Sequence, residues 1–195
     1  MKITLRSATI RDVSILTHWD SQPHVLHAKN LTEPDAGWNW LVELNRSPFW
    51  RKLLIGEVDG RPVASIQIID PKEEDTHYWG DVPQNLKAID IWIGEAEDLG
   101  RGYGTIFMQL ALDMCFRDEA VQAVLLDPLQ ENVQARRFYE RLGFRFVEHR
   151  MFDQDSCAVY RLDRLAWAAA AKTQPAVQGA GGEVNLFNDK TTVHV

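Results

Sequence analysis

The chain has 195 residues, enough for one domain with a sizeable core, and its 45% hydrophobic content excludes a disordered or low-complexity protein. No apolar run approaches the roughly 20 residues of a membrane-spanning helix, and residues 1–6 are too short and too alternating to read as a signal peptide. A formal net charge of −7 argues against nucleic acid as the main partner and suits a cationic one.

Residues 3–9 alternate Ile3, Leu5 and Ala8 against polar neighbours, which predicts a first strand. A helix is expected from Ile10 to about Asp20, with Val13, Leu16 and Thr17 inward, and Ser21-Gln22-Pro23 breaks it. A second helix is expected over residues 36–44. It carries Trp38 and Trp40 and ends at Asn45-Arg46-Ser47-Pro48. Residues 53–58 and 62–69 read as two strands joined at Asp59-Gly60, a hairpin signal. Residues 70–86 form a long polar connection holding Glu73, Glu74, Asp75 and Asp81, and long loops are often functional. The Glu73-Glu74-Asp75 run reads as a solvated face. The strand expected at residues 88–93 places Ile89, Ile91 and Ile93 on one face and Asp90 and Trp92 on the other.

The stretch Leu99-Gly100-Arg101-Gly102-Tyr103-Gly104-Thr105 has three glycines at every second position, unsuited to a strand or helix interior. A helix pattern opens directly after it, with Phe107, Leu110, Ala111, Met114 and Cys115 on one face, running to about Arg117. A glycine loop that opens a helix is an anion site, because bare N–H groups and the positive end of the helix dipole point the same way. Arg101 adds a cation, and a pyrophosphate is the expected ligand. A phosphate loop of the Walker type would need a lysine that is absent here. A dinucleotide fingerprint would need glycine where Thr105 stands. Coenzyme A is the third option.

Residues 123–126 read as a short buried strand stopped by Asp127-Pro128. Residues 133–142 predict a helix closed by Gly143, residues 144–148 and 158–162 two last strands, and residues 165–171 a short helix. From Lys172 the composition turns to Gly, Thr, Asn and Val with no core-forming period, and a flexible tail is expected. Two cysteines, Cys115 and Cys157, give neither a disulfide framework nor metal-ligand spacing, so a reduced, cytoplasmic protein without a metal site is expected. The sequence leaves a homodimer open.

The glycine stretch resembles the acetyl-CoA loop of the GNAT acetyltransferases, [QR]-x-x-G-x-[GA], at Gly102 and Gly104; Leu99 stands at the Gln/Arg position. The run Asn132-Val133-Gln134-Ala135-Arg136-Arg137-Phe138-Tyr139-Glu140-Arg141-Leu142-Gly143-Phe144 resembles the second motif of that family, N-x-x-A-x-x-[FL]-Y-x-x-x-G-F. The element order resembles the family's over residues 1–165, leaving residues 166–195 as short helix and tail. The resemblance implies an α/β (α+β) GNAT fold, a mixed, mostly antiparallel sheet flanked by helices. It also implies acetyl-CoA as cosubstrate, held by Ile91, Trp92, Ile93, Leu99, Gly100, Arg101, Gly102, Tyr103, Gly104, Thr105, Asn132, Ala135, Arg136 and Tyr139.

Within the family, Thr17-His18-Trp19, Pro23-His24-Val25, Ala64-Ser65-Ile66-Gln67, Tyr78-Trp79-Gly80, Lys87-Ala88-Ile89-Asp90 and Leu125-Leu126-Asp127-Pro128 look like stretches of the aminoglycoside 6'-N-acetyltransferases. That resemblance implies a small cationic amine as acceptor, met by Trp19, His24, Gln67, Trp79, Asp81, Asp90 and Asp127, with Asp90 as base. His27-Ala28 stands where those enzymes commonly carry aromatics. The hydroxamate-siderophore and lysine-type N-acyltransferases share much of the pattern, and a non-enzymatic acyl-CoA-binding module would keep the loop without the base.

Chemistry gives these residues roles. Acetyl transfer needs a deprotonated amine, a polarised thioester, a protonated leaving thiolate and both substrates in line. Tyr139, a neutral acid at pH 7, could protonate the thiolate or simply pack its helix. Asp90 is an acid in an apolar strand, where burial would raise its pKa as a general base requires, or it faces solvent. Asp127 sits at a strand end where ligands of α/β sheets bind, or it forms an Asp-Pro turn. Asn132 could cap its helix. His24 and His77 could serve as bases by their ordinary pKa.

Overall fold

The computed structural model describes residues 1–34, 38–173 and 191–194. One sheet of eight strands forms the centre: β1 (Lys2–Ser7), β2 (Arg51–Val58), β3 (Arg61–Ile69), β4 (Leu86–Ile93), β5 (Ala123–Leu126), β6 (Arg145–Phe152), β7 (Asp155–Asp163) and β8 (Thr191–His194). Their spatial order is β6-β7-β5-β4-β3-β2-β1-β8. Among the described residues every neighbouring pair is antiparallel except β4–β5. The helices are α1 (Val13–Asp20), α2 (Pro23–Ala28), α3 (Trp40–Arg46), α4 (Tyr103–Phe116), α5 (Val133–Arg141) and α6 (Arg164–Thr173).

Helix α4 lays its expected face on the sheet. Phe107, Leu110, Ala111 and Cys115 are buried with Ile66 and Ile89 in the main core, and Met108, Leu112 and Phe116 widen the stripe. The opposite face of the sheet carries α1 and α3 around Trp19, Trp40, Leu16 and Ile55. A third cluster under the 70–86 loop gathers Trp79, Leu129 and Phe152.

Several expectations are corrected by packing. Thr17 is exposed, and Trp19 takes the inward position. Ser21-Gln22-Pro23 ends α1 at Asp20 as expected, but Pro23 also opens a further helix that the periodicity did not show. It occupies the first turn of α2, where its missing N–H costs nothing. Helix α3 starts at Trp40, capped by the Asn39 side chain on the Val42 N–H, while residues 36 and 37 lie outside the described residues. Strand β6 continues to Phe152 because β7 pairs with it that far. Helix α6 packs on the end of α4: Trp167 stacks on Phe116 with centroids 4.8 Å apart, and the Arg164 guanidinium donates to the Phe116 carbonyl at 3.0 Å. Thr191–His194, inside the expected tail, pairs as β8 with β1, a register that composition does not encode. Residues 174–190 and 195 lie outside the described residues.

Gly94, just past β4, touches the ring of Trp19, which is fully buried. A Cβ there would sit 2.0 Å from the Trp19 ring. Neither the ring nor the strand can yield in a close-packed core. Gly94→Ala is therefore expected to lose about 1–3 kcal/mol or more in chemical denaturation.

Candidate active site

The parallel pair β4–β5 is short. It joins Leu86 to Ala123, Lys87 to Val124 and Ala88 to Leu125, and there it ends. β4 runs on to Ile93 while Asp127-Pro128 turns the other chain away, so the two strands part. A cavity of about 400 Å³ opens at the split. Asp90, Ile91 and Trp92 line it from β4, Gln67 from β3, Asp127 from the end of β5, and Asn132, Ala135 and Tyr139 from α5. Lys29, Trp38, Trp40 and Tyr78 complete the wall.

Asp90 and Asp127 face each other's charge across the split. The Asp90 carboxyl has no hydrogen-bond or ion-pair partner among the described residues, and it lines the cavity. Burial first, then repulsion from Asp127, pushes its pKa up to about 7, against the pull of the Lys29 cation. Burial also raises Asp127, opposed by the Tyr78 hydroxyl, which donates to its Oδ2 at 2.7 Å. Tyr139 is buried against Phe138 and Phe144. Burial and the two carboxylates hold its phenol well above the ordinary range, so it stays neutral, and its hydroxyl has no partner among the described residues.

The glycine loop lies beside this split. Gly100 and Gly102 take left-handed backbone conformations, φ 72° and 81°, and Gly102 caps α4. The N–H groups of Tyr103 and Gly104 open α4 with no preceding turn to bond to, while the Thr105 N–H already donates to the Gly102 carbonyl at 3.1 Å. Asp98, almost fully buried, anchors the loop by a two-pronged pair with Arg61 of β3, at 2.7 and 2.8 Å. Those hydrogen bonds hold Asp98 below the usual carboxylate range. This anchor was not legible in the sequence, because Arg61 and Asp98 meet only across the sheet.

Some expected site residues lie elsewhere. Trp19 is core, with its Nε1 donating to Glu95 at 3.1 Å. Trp79 is buried against Phe152 and leaves the site to its neighbour Tyr78. Asp81 is open to solvent and pairs with Lys72 at 2.7 Å. Arg136 is spent on the Tyr160 hydroxyl and the Gln130 carbonyl. The Arg101 Nε donates to the Glu97 carbonyl at 2.8 Å. Ile93, Leu99, Tyr103, Gly104 and Thr105 do not line the cavity either; they belong to the strand end, the loop and the first turn of α4. His24 lies within 2.9 Å of the Ile93 carbonyl, and His77 is exposed; neither lines the cavity. Asn132 caps α5 as expected, accepting the Ala135 N–H, and also lines the cavity.

Glu74 is no solvated acid. It is buried and accepts the Thr76 and Tyr78 N–H groups, shaping the loop that delivers Tyr78. Lys29, Asp20 and Tyr78 are site residues that sequence reasoning missed. A proline placed to start a helix was the available signal for Lys29, since α2 carries it. Among the described residues no cluster could hold a metal ion, and no helix is long and apolar enough to cross a membrane.

A family model described as an acetyltransferase (GNAT) domain matches residues 9–152. The aminoglycoside N(6')-acetyltransferase type 1 of Klebsiella pneumoniae is 24% identical over 152 residues, 73% of each chain. The lysine N-acyltransferase MbtK of Mycobacterium tuberculosis is 23% identical over 167 residues, covering 85% of this chain and 79% of that one. The crystal structure of aminoglycoside acetyltransferase AAC(6')-Ib with coenzyme A superposes with a TM-score of 0.76 at 22% identity, over 87% of this chain and 99% of that one.

Proposed function

The chain belongs to the GNAT acetyltransferase family, and from that premise we propose that it acetylates a primary amine of a small cationic molecule, with an aminoglycoside-like amine as first candidate. As a member of the family it is an acetyl-CoA-dependent N-acetyltransferase. Acetyl-CoA supplies the acetyl group as a thioester; the acceptor is inferred.

One observation carries the acceptor reading: two half-buried carboxylates, Asp90 and Asp127, meet in one cavity with aromatic walls. A cationic amine arrives protonated, so the site must attract its charge and remove a proton. Asp127, held by Tyr78, keeps a fixed place for the charge. Asp90, without a partner and tuned near neutrality, takes the proton. Tyr139 stays neutral on the α5 side and can donate to the departing sulfur. Trp38, Trp40 and Trp92 offer ring faces to a sugar or a cation. The two cysteines are free and buried.

Thiol release tests the reading. Purified protein with acetyl-CoA and a panel holding an aminoglycoside, a polyamine and a lysine derivative should release free CoA in an amine-dependent way. Tight CoA binding without turnover on the whole panel would favour a binding module. Preference for the lysine derivative would favour the siderophore-type acyltransferases.

The loop carries its own prediction. A side chain at Gly102 is strained by the positive φ, but at Gly104 it would meet only the Phe138 ring at 3.6 Å, an ordinary contact. Gly104→Val should therefore stay folded yet cover the N–H groups of the loop. CoA affinity measured by calorimetry should fall by about tenfold or more, the worth of one charge-assisted hydrogen bond. Unchanged affinity would remove the loop from the site.

A further inference from the structure

Lys29 follows the last residue of α2 and turns its side chain into the cavity that Asp90 and Tyr139 line. Its ammonium lies 4.4 Å from the centroid of the Trp92 ring and 2.6 Å from Asp20 Oδ1. The other oxygen of Asp20 accepts the Trp40 indole N–H at 2.5 Å. An acid and an aromatic face thus hold a primary ammonium at the acceptor end of the site. Trp92 and Asp90 stand two residues apart on one face of β4, about 7 Å along the strand. The lysine stem has four rotatable carbon–carbon bonds, and its pair with Asp20 is partly exposed, a weak restraint. Lys72 and Lys87, by contrast, pair with Asp81 and Asp70 outside the cavity. Among the described residues Lys29 is the lysine whose side chain reaches the site.

We propose that Lys29 is an internal acceptor, which takes the acetyl group when no amine fills the cavity and thereby closes the acceptor end. The inference rests on the acetyl-transfer reading above. The carbon–sulfur bond of the thioester breaks as the bond from Nζ to the acetyl carbon forms, with no change of oxidation state. Nζ gives up two protons in becoming an amide. Asp90 passes one to solvent, and the other balances the proton that the leaving thiolate gains by way of Tyr139. The products are acetyl-lysine, free CoA and one proton. Acetylation removes the charge on Lys29, and with it the pair to Asp20 and the cation over Trp92. The neutral amide then occupies the space of the incoming amine, so the enzyme limits its own turnover when acceptor is scarce.

Incubation of the full chain with acetyl-CoA alone, followed by intact-mass and peptide mass spectrometry, tests this. One acetyl group per chain is expected, on Lys29, with an equal release of thiol. An acceptor amine added beforehand should suppress the modification, and the modified chain should lose acceptor turnover. Asp90→Asn should slow the modification by about 10²-fold or more, and Lys29→Arg should abolish it. Acetyl groups spread evenly over Lys52, Lys72 and Lys87 and indifferent to Asp90→Asn would mark chemical acetylation and overturn the inference. So would an unmodified Lys29 in a preparation that turns over amines, while leaving the acetyl-transfer reading standing. No thiol release with any amine would sink both.

Discussion

Asp90→Asn is expected to lower turnover by about 10²–10⁴-fold, the cost of a lost general base, with CoA affinity nearly unchanged. The carboxyl waits in the cavity without a partner, and burial and Asp127 push it up to about 7. Wild-type kcat/KM should accordingly rise with pH through about 7 as Asp90 loses its proton. In the variant that limb should vanish, and higher pH should restore part of the rate by supplying neutral amine. Wild-type turnover by Asp90→Asn at neutral pH would exclude Asp90 as the base.

The same variant reports on stability, with a sign fixed by linkage. The folded-state pKa of Asp90 lies above that of the unfolded chain, roughly 3.9. Its protonated form therefore favours folding at acid pH, and that contribution is lost as pH rises from about 4 through about 7. Asp127 is raised as well and acts in the same direction. Asp90→Asn carries no charge to bury. Its melting temperature should exceed that of the wild type at pH 8 and approach it near pH 4. The gain would be the cost in stability of holding a carboxylate ready for the amine.

Tyr139→Phe is expected to lower turnover by about 10²-fold, with neither the loss of the pH 7 limb nor rescue at high pH. Its hydroxyl is neutral and unpartnered among the described residues, and it lines the cavity from α5. Phenylalanine keeps the packing against Phe138 and Phe144 and removes the proton alone. An acyl donor whose thiol has a lower pKa needs less protonation on leaving, so it should rescue Tyr139→Phe and not Asp90→Asn. Equal rescue of both would show that Tyr139 acts through packing.

Much of the site was legible because its signals are local. The alternation of β4 put Asp90 on the face opposite Ile89 and Ile91, and the structure keeps it there. The glycine spacing before an apolar helix located the start of α4, and Asn132 announced α5. Each is a property of a few consecutive residues, set by sterics and by one hydrogen bond. Tryptophan and acid identities misled where a residue's type is compatible with two burials. Trp19 and Trp79 have rings that suit a ligand or a core, and packing sent both to the core. Tyr78, next in sequence to Trp79, received the site because Glu74 folds the loop beneath it.

The sequence by itself determined the strand order over residues 1–165 and its helices apart from α2, the glycine loop that opens α4, Tyr139 on α5 and the acid in strand β4, since periodicity, turn chemistry and capping act over a few residues. Tertiary structure decided where β4 and β5 part, because strand pairing ends when distant segments diverge. It decided that Asp127 lies near enough to raise Asp90, that Arg61 anchors Asp98, and that Lys29 enters the cavity. Those depend on distances between residues dozens of positions apart. Coulombic and hydrogen-bond energies fall off within a few ångströms, and only the folded sheet sets such distances.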